Sequence, residues 1–479
     1  MKIKDLQPKD IWKHFSTINA IPRASTKEEE ISAYMVSFGK SLKLETNIDK
    51  IGNVIIKKPG TSGKENNPTV VLQGHLDMVH QKTANSNFNF EKQGIEMFVD
   101  GDWVKAKETT LGADNGIGVA AIMAILTSTD IEHPPIEALF TIDEEVGMTG
   151  AMALTNKQLT GKILLNLDSE EDNTITIGCA GGVDVEIDGN FTTETLSDAY
   201  QFFKIDVNGL NGGHSGVEIH LNLGNAIKIF AFYVSEINKE IDVHLSTLNS
   251  GQLTNVIPRD AKGIIAINKK DVTKFEILSA SIIKKIQTQY AKTDNDLNIT
   301  LKSIKQSSVV ASIPFTNQLL NAINTIPNGV YAVTEGMEDL VQTSNNIAKI
   351  SLKEGSYKIA CHTRSSVDIE RDELVKKITH IFSFSDVKEI GPYPGWEPKP
   401  NSKILQIAKQ CYKKLYTKDA NVKSIHAGLE CGVLSGTYPK MEMISIGPNV
   451  FGAHSPDERL QISSTQKFWK FLVEILKEI

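Results

Sequence analysis

The sequence predicts an α/β protein in which a mostly parallel sheet domain, built from both ends of the chain, is interrupted by an inserted α+β domain. Three observations carry this expectation. Up to about Val183, apolar strand-like runs alternate with helical patterns, as in a largely parallel sheet. From there to about Gly391 the pattern shifts to period two, which suits antiparallel strands. After the Pro- and Gly-rich stretch "GPYPGWEPKPNS", Gly391 to Ser402, the first pattern returns. The expected division is 1–184 plus 392–479 for the sheet domain and 185–391 for the inserted lid.

Taken in order, "TKEEEISAYMVSFGKSL" sets Ile31, Met35 and Phe38 at helical spacing, with Thr26 as the expected N-cap and Glu29 three residues on. "NPTVVLQGH" reads as a buried strand and "NGIGVAAIMAILTS" as a buried helix. "IEALFTIDEE" and "GKILLNLDSEE" are apolar strands that end in acids. In the middle of the chain, "VDVEIDGN", "YQFFKIDVNGL" and "GIIAINKK" alternate like antiparallel strands. Two helical stretches separate them, Asn225 to Asn238 and Asp271 to Tyr290. A weak echo links the segments around Asn255 and Asn345, which suggests an internal duplication of the lid. Beyond Ser402, "KILQIAKQCYKKLY" is an amphipathic helix, "KMEMISIGPN" a strand and "STQKFWKFLVEILKEI" a closing helix.

The 479 residues are 40% hydrophobic and 23% charged, with a net charge of -7. That is ordinary for a globular protein of two or three domains and argues against a general nucleic-acid binder. No segment has the run of about 18 apolar residues that spans a bilayer, and the N-terminus lacks a signal-peptide core. A cytoplasmic location is the expectation. The four cysteines form no CxxC pair and are expected as small buried apolar residues.

Chemistry gathers at the strand ends. His75 and Asp77 follow the first strand, and Asp114 and Asn115 stand just before a helix. Asp143, Glu144 and Glu145 follow the next strand, Asp168 another, and His454 follows the strand after the insertion. Singly, each has a bland reading as a solvated acid, a helix cap or a structural histidine. Together, on one edge of one sheet, such carboxylates repel one another unless a cation sits among them. Mixed imidazole and carboxylate donors without thiolates suit Zn²⁺, with Co²⁺ or Mn²⁺ as substitutes. Five ligand candidates exceed the usual three of one catalytic ion, so a two-metal site with a bridging carboxylate fits the count. No HExxH helix is present.

The segments "GHLDMV", "TTLGADNGIG", "TIDEEVGMTGA", "LLNLDSEE", "GGHSG" and "GAHSPDE", in that order, resemble the dizinc metallopeptidases of the aminoacylase and carboxypeptidase G type. "IWKHFSTINAIPRASTKEEEI" and "IHAGLECGVLSG" narrow the resemblance to the group called cytosol non-specific, or aminoacyl-histidine, dipeptidases. The resemblance implies a dizinc exopeptidase domain with an inserted lid, and two zinc ions. By it, His75 and Asp168 belong to the first metal, Glu145 and His454 to the second, and Asp114 bridges them, followed by a cis peptide. The same resemblance implies that Asp77 braces His75, that Glu144 is the general base toward a metal-bridging water and that His214 in the lid polarises the scissile carbonyl. It also implies that Asn255 and Arg364 bind the substrate's carbonyl and terminal carboxylate, for which an arginine fork is suited, and that Glu430 lies near the substrate's free amine. A homodimer is implied as well.

The function expected is hydrolysis of dipeptides of broad sequence, Xaa-His types such as carnosine included. One rival is an N-acyl-amino-acid amidohydrolase with the same metal chemistry; the acid of "GLECG" favours a free amine over it. The other is a non-catalytic metal- or peptide-binding homologue, against which the intact glutamate pair speaks. His80, His133, His220, His362 and His426 are set aside as surface or core groups, with His426, close to "GLECG", the best placed of them to line a pocket.

Overall fold

A computed structural model describes residues 2–305, 309–335 and 337–479. The chain divides into two compact units. One comprises Met1–Cys179, Trp396–Ser424 and Leu429–Ile479; the other comprises Ala180–Gly395 and Ile425–Gly428.

The first unit is organised by an eight-stranded sheet in the order Glu45–Ile48, Val54–Lys58, Ile136–Thr141, Val70–His75, Ile163–Asn166, Glu442–Ser445, Thr174–Cys179, Asn421–Ile425. Its four central strands, Ile136–Thr141 through Glu442–Ser445, run parallel, and antiparallel pairs flank them. Ile136–Thr141, Val70–His75 and Ile163–Asn166 are buried at every position. That is why they read as continuous apolar runs. Helix Ala113–Thr127 packs on the His75 strand and is itself buried almost all round, which explains its lack of a polar face. A small antiparallel sheet joins Val450–Phe451, Arg459–Gln461, Trp103–Ala106 and Met97–Asp100, and its hairpin carries the loop with His454.

One local expectation is corrected. Helix Glu29–Ser41 has no side-chain cap from Thr26, whose φ of 67° lies outside the extended conformation a cap needs. Instead the Glu28 carboxylate accepts a hydrogen bond from the Thr26 N–H at 2.8 Å.

The second unit is a nine-stranded antiparallel sheet. Its path is Asn298–Ile304, Tyr200–Asn208, Ala261–Asn268, His244–Ser250, Met337–Lys353, Ser356–Ser365, Gly181–Asn190, Asp386–Tyr393, with Gly329–Thr334 added on Met337–Lys353. Helix Ala226–Asn238 is capped by the Asn225 side chain, which accepts from the N–H groups of Ile227 and Lys228. Helix Val272–Tyr290 packs beside it. Two more helices, Ile313–Thr325 and Asp368–Ile381, were not expected from the sequence, although Ser312 caps the first and a proline stands in its first turn. The echoed asparagines are placed differently: Asn345 is buried within a long strand, whereas Asn255 lies in the exposed turn before Val256–Ile257. All four cysteines are buried. Among the described residues, no helix is long and apolar enough to cross a membrane.

Candidate metal centre

The parallel strands deliver their carboxyl ends to one place. His75 closes its strand, and its Nε2 stands 3.1 Å from Asp114 Oδ1 and 3.5 Å from Asp168 Oδ1. His454 Nε2 lies 3.1 Å from Asp114 Oδ2 and 3.1 Å from Glu145 Oε2. Asp114 therefore turns one oxygen toward each imidazole. Three groups of donors close to within 4.8 Å: His75 with Asp114 and Asp168, His75 with Glu144 and Glu145, and Asp114 with Glu145 and His454. The Asp114–Asn115 peptide is cis.

Asp77 supports from beneath. Its Oδ1 is 3.3 Å from His75 Nδ1. The same carboxylate accepts from the Glu144 N–H at 3.0 Å and the Glu145 N–H at 3.3 Å. One buried acid thus orients both the histidine and the glutamate pair, as partners behind a ligand shell do.

The loop before Asp114 is held by two residues that the sequence did not single out. Glu458 accepts from the N–H groups of Leu111 (2.7 Å), Gly112 (2.9 Å), Ala113 (2.7 Å) and Asp114 (3.3 Å). Arg23, buried, donates to the carbonyls of Leu76, Asp77 and Gly112 and to Asn19 Oδ1. Gly112 has φ 69°, and a Cβ there would lie 2.4 Å from Arg23 Nη2. Both residues stand inside quoted motifs, "IPRAS" and "SPDE", but nothing in their spacing reveals that their charges are buried.

The electrostatics call for positive charge. Hydrogen bonds to Asp114 and Glu145 hold the His454 imidazole up at about 11. Burial pulls His75 down, but Asp168, Asp114 and Asp77 outweigh it and leave it well above its usual value. Burial lifts Asp168 to about 7 and raises Glu144 well above the usual carboxylate range, with neighbouring acids adding to both. Glu145 Oε1 is buried with no hydrogen-bond partner, and Asp168 Oδ1 has only the His75 imidazole 3.5 Å away. Imidazoles drawn toward their charged form, under-satisfied carboxylate oxygens and an all-N/O donor set fit divalent metal ions.

Glu430, expected near a substrate amine, has no exposed surface; its carboxylate accepts from Gln73 and Thr141. His80 is exposed, with its ring edge against Phe90. His133 is buried, and its Nδ1 meets the Pro134 carbonyl.

In the second unit, His214 closes the short strand Gly213–His214, and its Nδ1 accepts from the N–H groups of Gly216 and Val217, both at 3.1 Å. Nε2 then carries the proton of the neutral ring. Burial and Arg364 lower its pKa. Arg364 is buried, donates to the Tyr393 hydroxyl at 3.0 Å and leaves Nε without a partner. His362, set aside from the sequence, pairs through Nδ1 with Asp184 Oδ1 at 2.5 Å, and its Nε2 is buried without a partner. His426 meets the Ser344 hydroxyl at 2.7 Å and is pushed down to about 3 by burial and by Arg364.

Comparisons with known proteins agree with this architecture. The chain is 38% identical over 480 residues to the cytosol non-specific dipeptidase of Escherichia coli strain K12, covering 100% of this chain and 99% of that protein. The crystal structure of aminoacylhistidine dipeptidase from Vibrio alginolyticus superposes with a TM-score of 0.95 at 37% identity, covering 100% of this chain and 98% of that one. Aminopeptidase PepT from Bacillus cereus shares the fold at a TM-score of 0.58 and 16% identity, over 99% of each chain. The family model of peptidase family M20/M25/M40 matches residues 71–478, a span that runs from the His75 strand past the His454 loop and so contains every donor of the centre; the chain belongs to that family.

Proposed function

We propose that the protein is a metal-dependent dipeptidase of broad specificity that removes an unblocked N-terminal residue, with Xaa-His dipeptides of the carnosine type among its substrates. The observation that carries this reading is the division of Asp114 between two imidazoles. His75, Asp114 and Asp168 would hold one ion, and Asp114, Glu145 and His454 a second, with zinc the resident metal and cobalt or manganese as substitutes. Such ions, when bound, polarise a carbonyl oxygen and make water acidic at neutral pH.

The chain's own groups supply the rest. Glu144, its backbone held by Asp77, takes the proton of the attacking water and returns it to the leaving amine. Burial raises its pKa, as suits a group that accepts and then gives a proton. His214 donates from Nε2 to the scissile carbonyl oxygen, Asn255 contacts a substrate carbonyl, and the Arg364 fork takes the terminal carboxylate. The kinship with a dipeptidase named for the cytosol supports a cytoplasmic protein, and the family resemblance supports a homodimer.

The test is a comparison of Ala-His with N-acetyl-His on chelator-stripped protein reloaded with Zn²⁺, Co²⁺ or Mn²⁺. Cleavage of Ala-His with little action on the acetyl compound is expected. Preference for the acetyl compound would make the protein a deacylase, and two bound ions without turnover would make it a binding protein.

A further inference from the structure

Directly beneath the metal donors lies a layer of polar side chains that the proposed reaction does not use. Strand register places it. Gln73 stands opposite Asn166, and His75 opposite Thr141. Gln73 is two residues before His75, Asn166 two before Asp168, and Thr141 three before Glu144. Glu430 reaches the same layer from the first position of helix Glu430–Thr437. All four side chains are fully buried.

Their contacts form a connected set. Glu430 Oε2 accepts from Gln73 Nε2 at 2.5 Å and from Thr141 Oγ1 at 2.7 Å. Gln73 Nε2 is also 3.1 Å from Thr141 Oγ1, and Asn166 Nδ2 donates to Gln73 Oε1 at 2.6 Å. Packing alone does not ask for this. The neighbouring positions Val70, Val71, Leu72, Leu164 and Leu165 are apolar and equally buried. A buried carboxylate is costly, and Glu430 Oε1 and Asn166 Oδ1 have no partner at all. What the layer does provide is a lateral tie between three strand ends, each of which presents part of the metal centre.

We propose that Glu430 is a positioning residue: through Gln73, Thr141 and Asn166 it fixes the strand ends that present His75, Asp168 and the Glu144 turn, and thereby sets the affinity for the catalytic cations. The inference rests on the metal-dependent reading above, and its first readout, cation binding, needs no substrate. It replaces the sequence-based expectation of an amine contact with a role that needs no exposure.

The experiment titrates chelator-stripped, full-length protein with Co²⁺, followed by visible absorption, and with Zn²⁺, followed by calorimetry. Glu430→Gln keeps a carbonyl oxygen that can accept from both Gln73 and Thr141, so cation affinity should stay within about threefold of wild type. Glu430→Leu removes the acceptor and should weaken affinity by about 10–100-fold and alter the Co²⁺ spectrum, the range typical of partners behind the ligands. In the reloaded protein kcat should fall while KM for Ala-His moves little. Should Glu430→Leu fail to fold, Gln73→Met and Thr141→Val cut the same tie and should shift Co²⁺ affinity in the same direction. Wild-type affinity and spectrum in folded variants lacking the tie overturn the inference. So does a Glu430→Gln protein as impaired as Glu430→Leu, because charge and not the shared acceptor would then be at work. A protein that binds Co²⁺ as expected but cleaves no dipeptide leaves this inference standing and removes the dipeptidase reading.

Discussion

Glu144 and Glu145 are adjacent, yet their surroundings differ. Glu145 Oε2 lies 3.1 Å from His454 and closes a group of donors with it and Asp114, which is the ground for proposing it as a metal donor. Glu144 lies beside His75 and Glu145, and burial among acids raises its pKa. The expected outcome is a split between two variants. Glu144→Ala should retain both ions by elemental analysis while kcat on Ala-His falls by at least about 10²–10⁴-fold, the loss usual for a positioned general base. Glu145→Ala should lose one ion. A folded Glu144→Ala protein with near-normal kcat would remove the general-base assignment. The sequence made this pair visible because two acids at the end of an apolar strand are conspicuous. It did not show that one buried acid, Asp77, orients both of their backbones, since those bonds join positions 67 and 68 residues apart.

At the scale of elements, what was legible was what a local pattern dictates. The buried strands Val70–His75, Ile136–Thr141 and Ile163–Asn166 appear as apolar runs because both faces are covered, and helix Ala226–Asn238 begins at its asparagine. The start of helix Glu29–Ser41 departs from the capping pattern that a Thr followed by Glu three residues on suggests, because the tertiary fold holds Thr26 at a positive φ. Least legible was the fastening of the loop before Asp114, where the partner Glu458 lies more than 340 residues away. That fastening can be tested. Glu458→Ala leaves three buried N–H donors and the part-buried one of Asp114 without their acceptor, and an unsatisfied buried group costs about 1–3 kcal/mol. With relaxation and water entry, a loss of about 3–5 kcal/mol is expected in urea unfolding of the metal-free protein. A loss below about 1 kcal/mol would show that the carboxylate is not what holds the loop.

Over the whole molecule, the change from alternating to period-two texture marked two architectures in one chain. The return of Ile425–Gly428 to the second unit left no compositional trace. Each unit has its own hydrophobic cluster, one around Trp12, Phe15 and the Val70–His75 strand, the other around Phe230, Tyr233 and Phe275. All donors of the metal centre belong to the first unit. A ligand that binds only the folded state stabilises it by about 2.7 kcal/mol at a concentration 100 times its dissociation constant. Zn²⁺ should therefore raise the unfolding transition of the protein. The pH dependence follows from the imidazoles. Hydrogen bonds to Asp114 and Glu145 place His454 at about 11, above its ordinary 6.5. Without metal, that charged pairing contributes stability fully below pH 6.5 and loses it as pH rises toward 11. A bound ion needs the neutral ring, so it must displace this proton, which becomes easier as pH rises. Both trends widen the gap between metal-loaded and metal-free protein with increasing pH. Differential scanning calorimetry at pH 6 and pH 8, with and without Zn²⁺, should show a larger metal-induced shift at pH 8. Equal shifts at the two pH values would refute the assignment of the cation site to these residues.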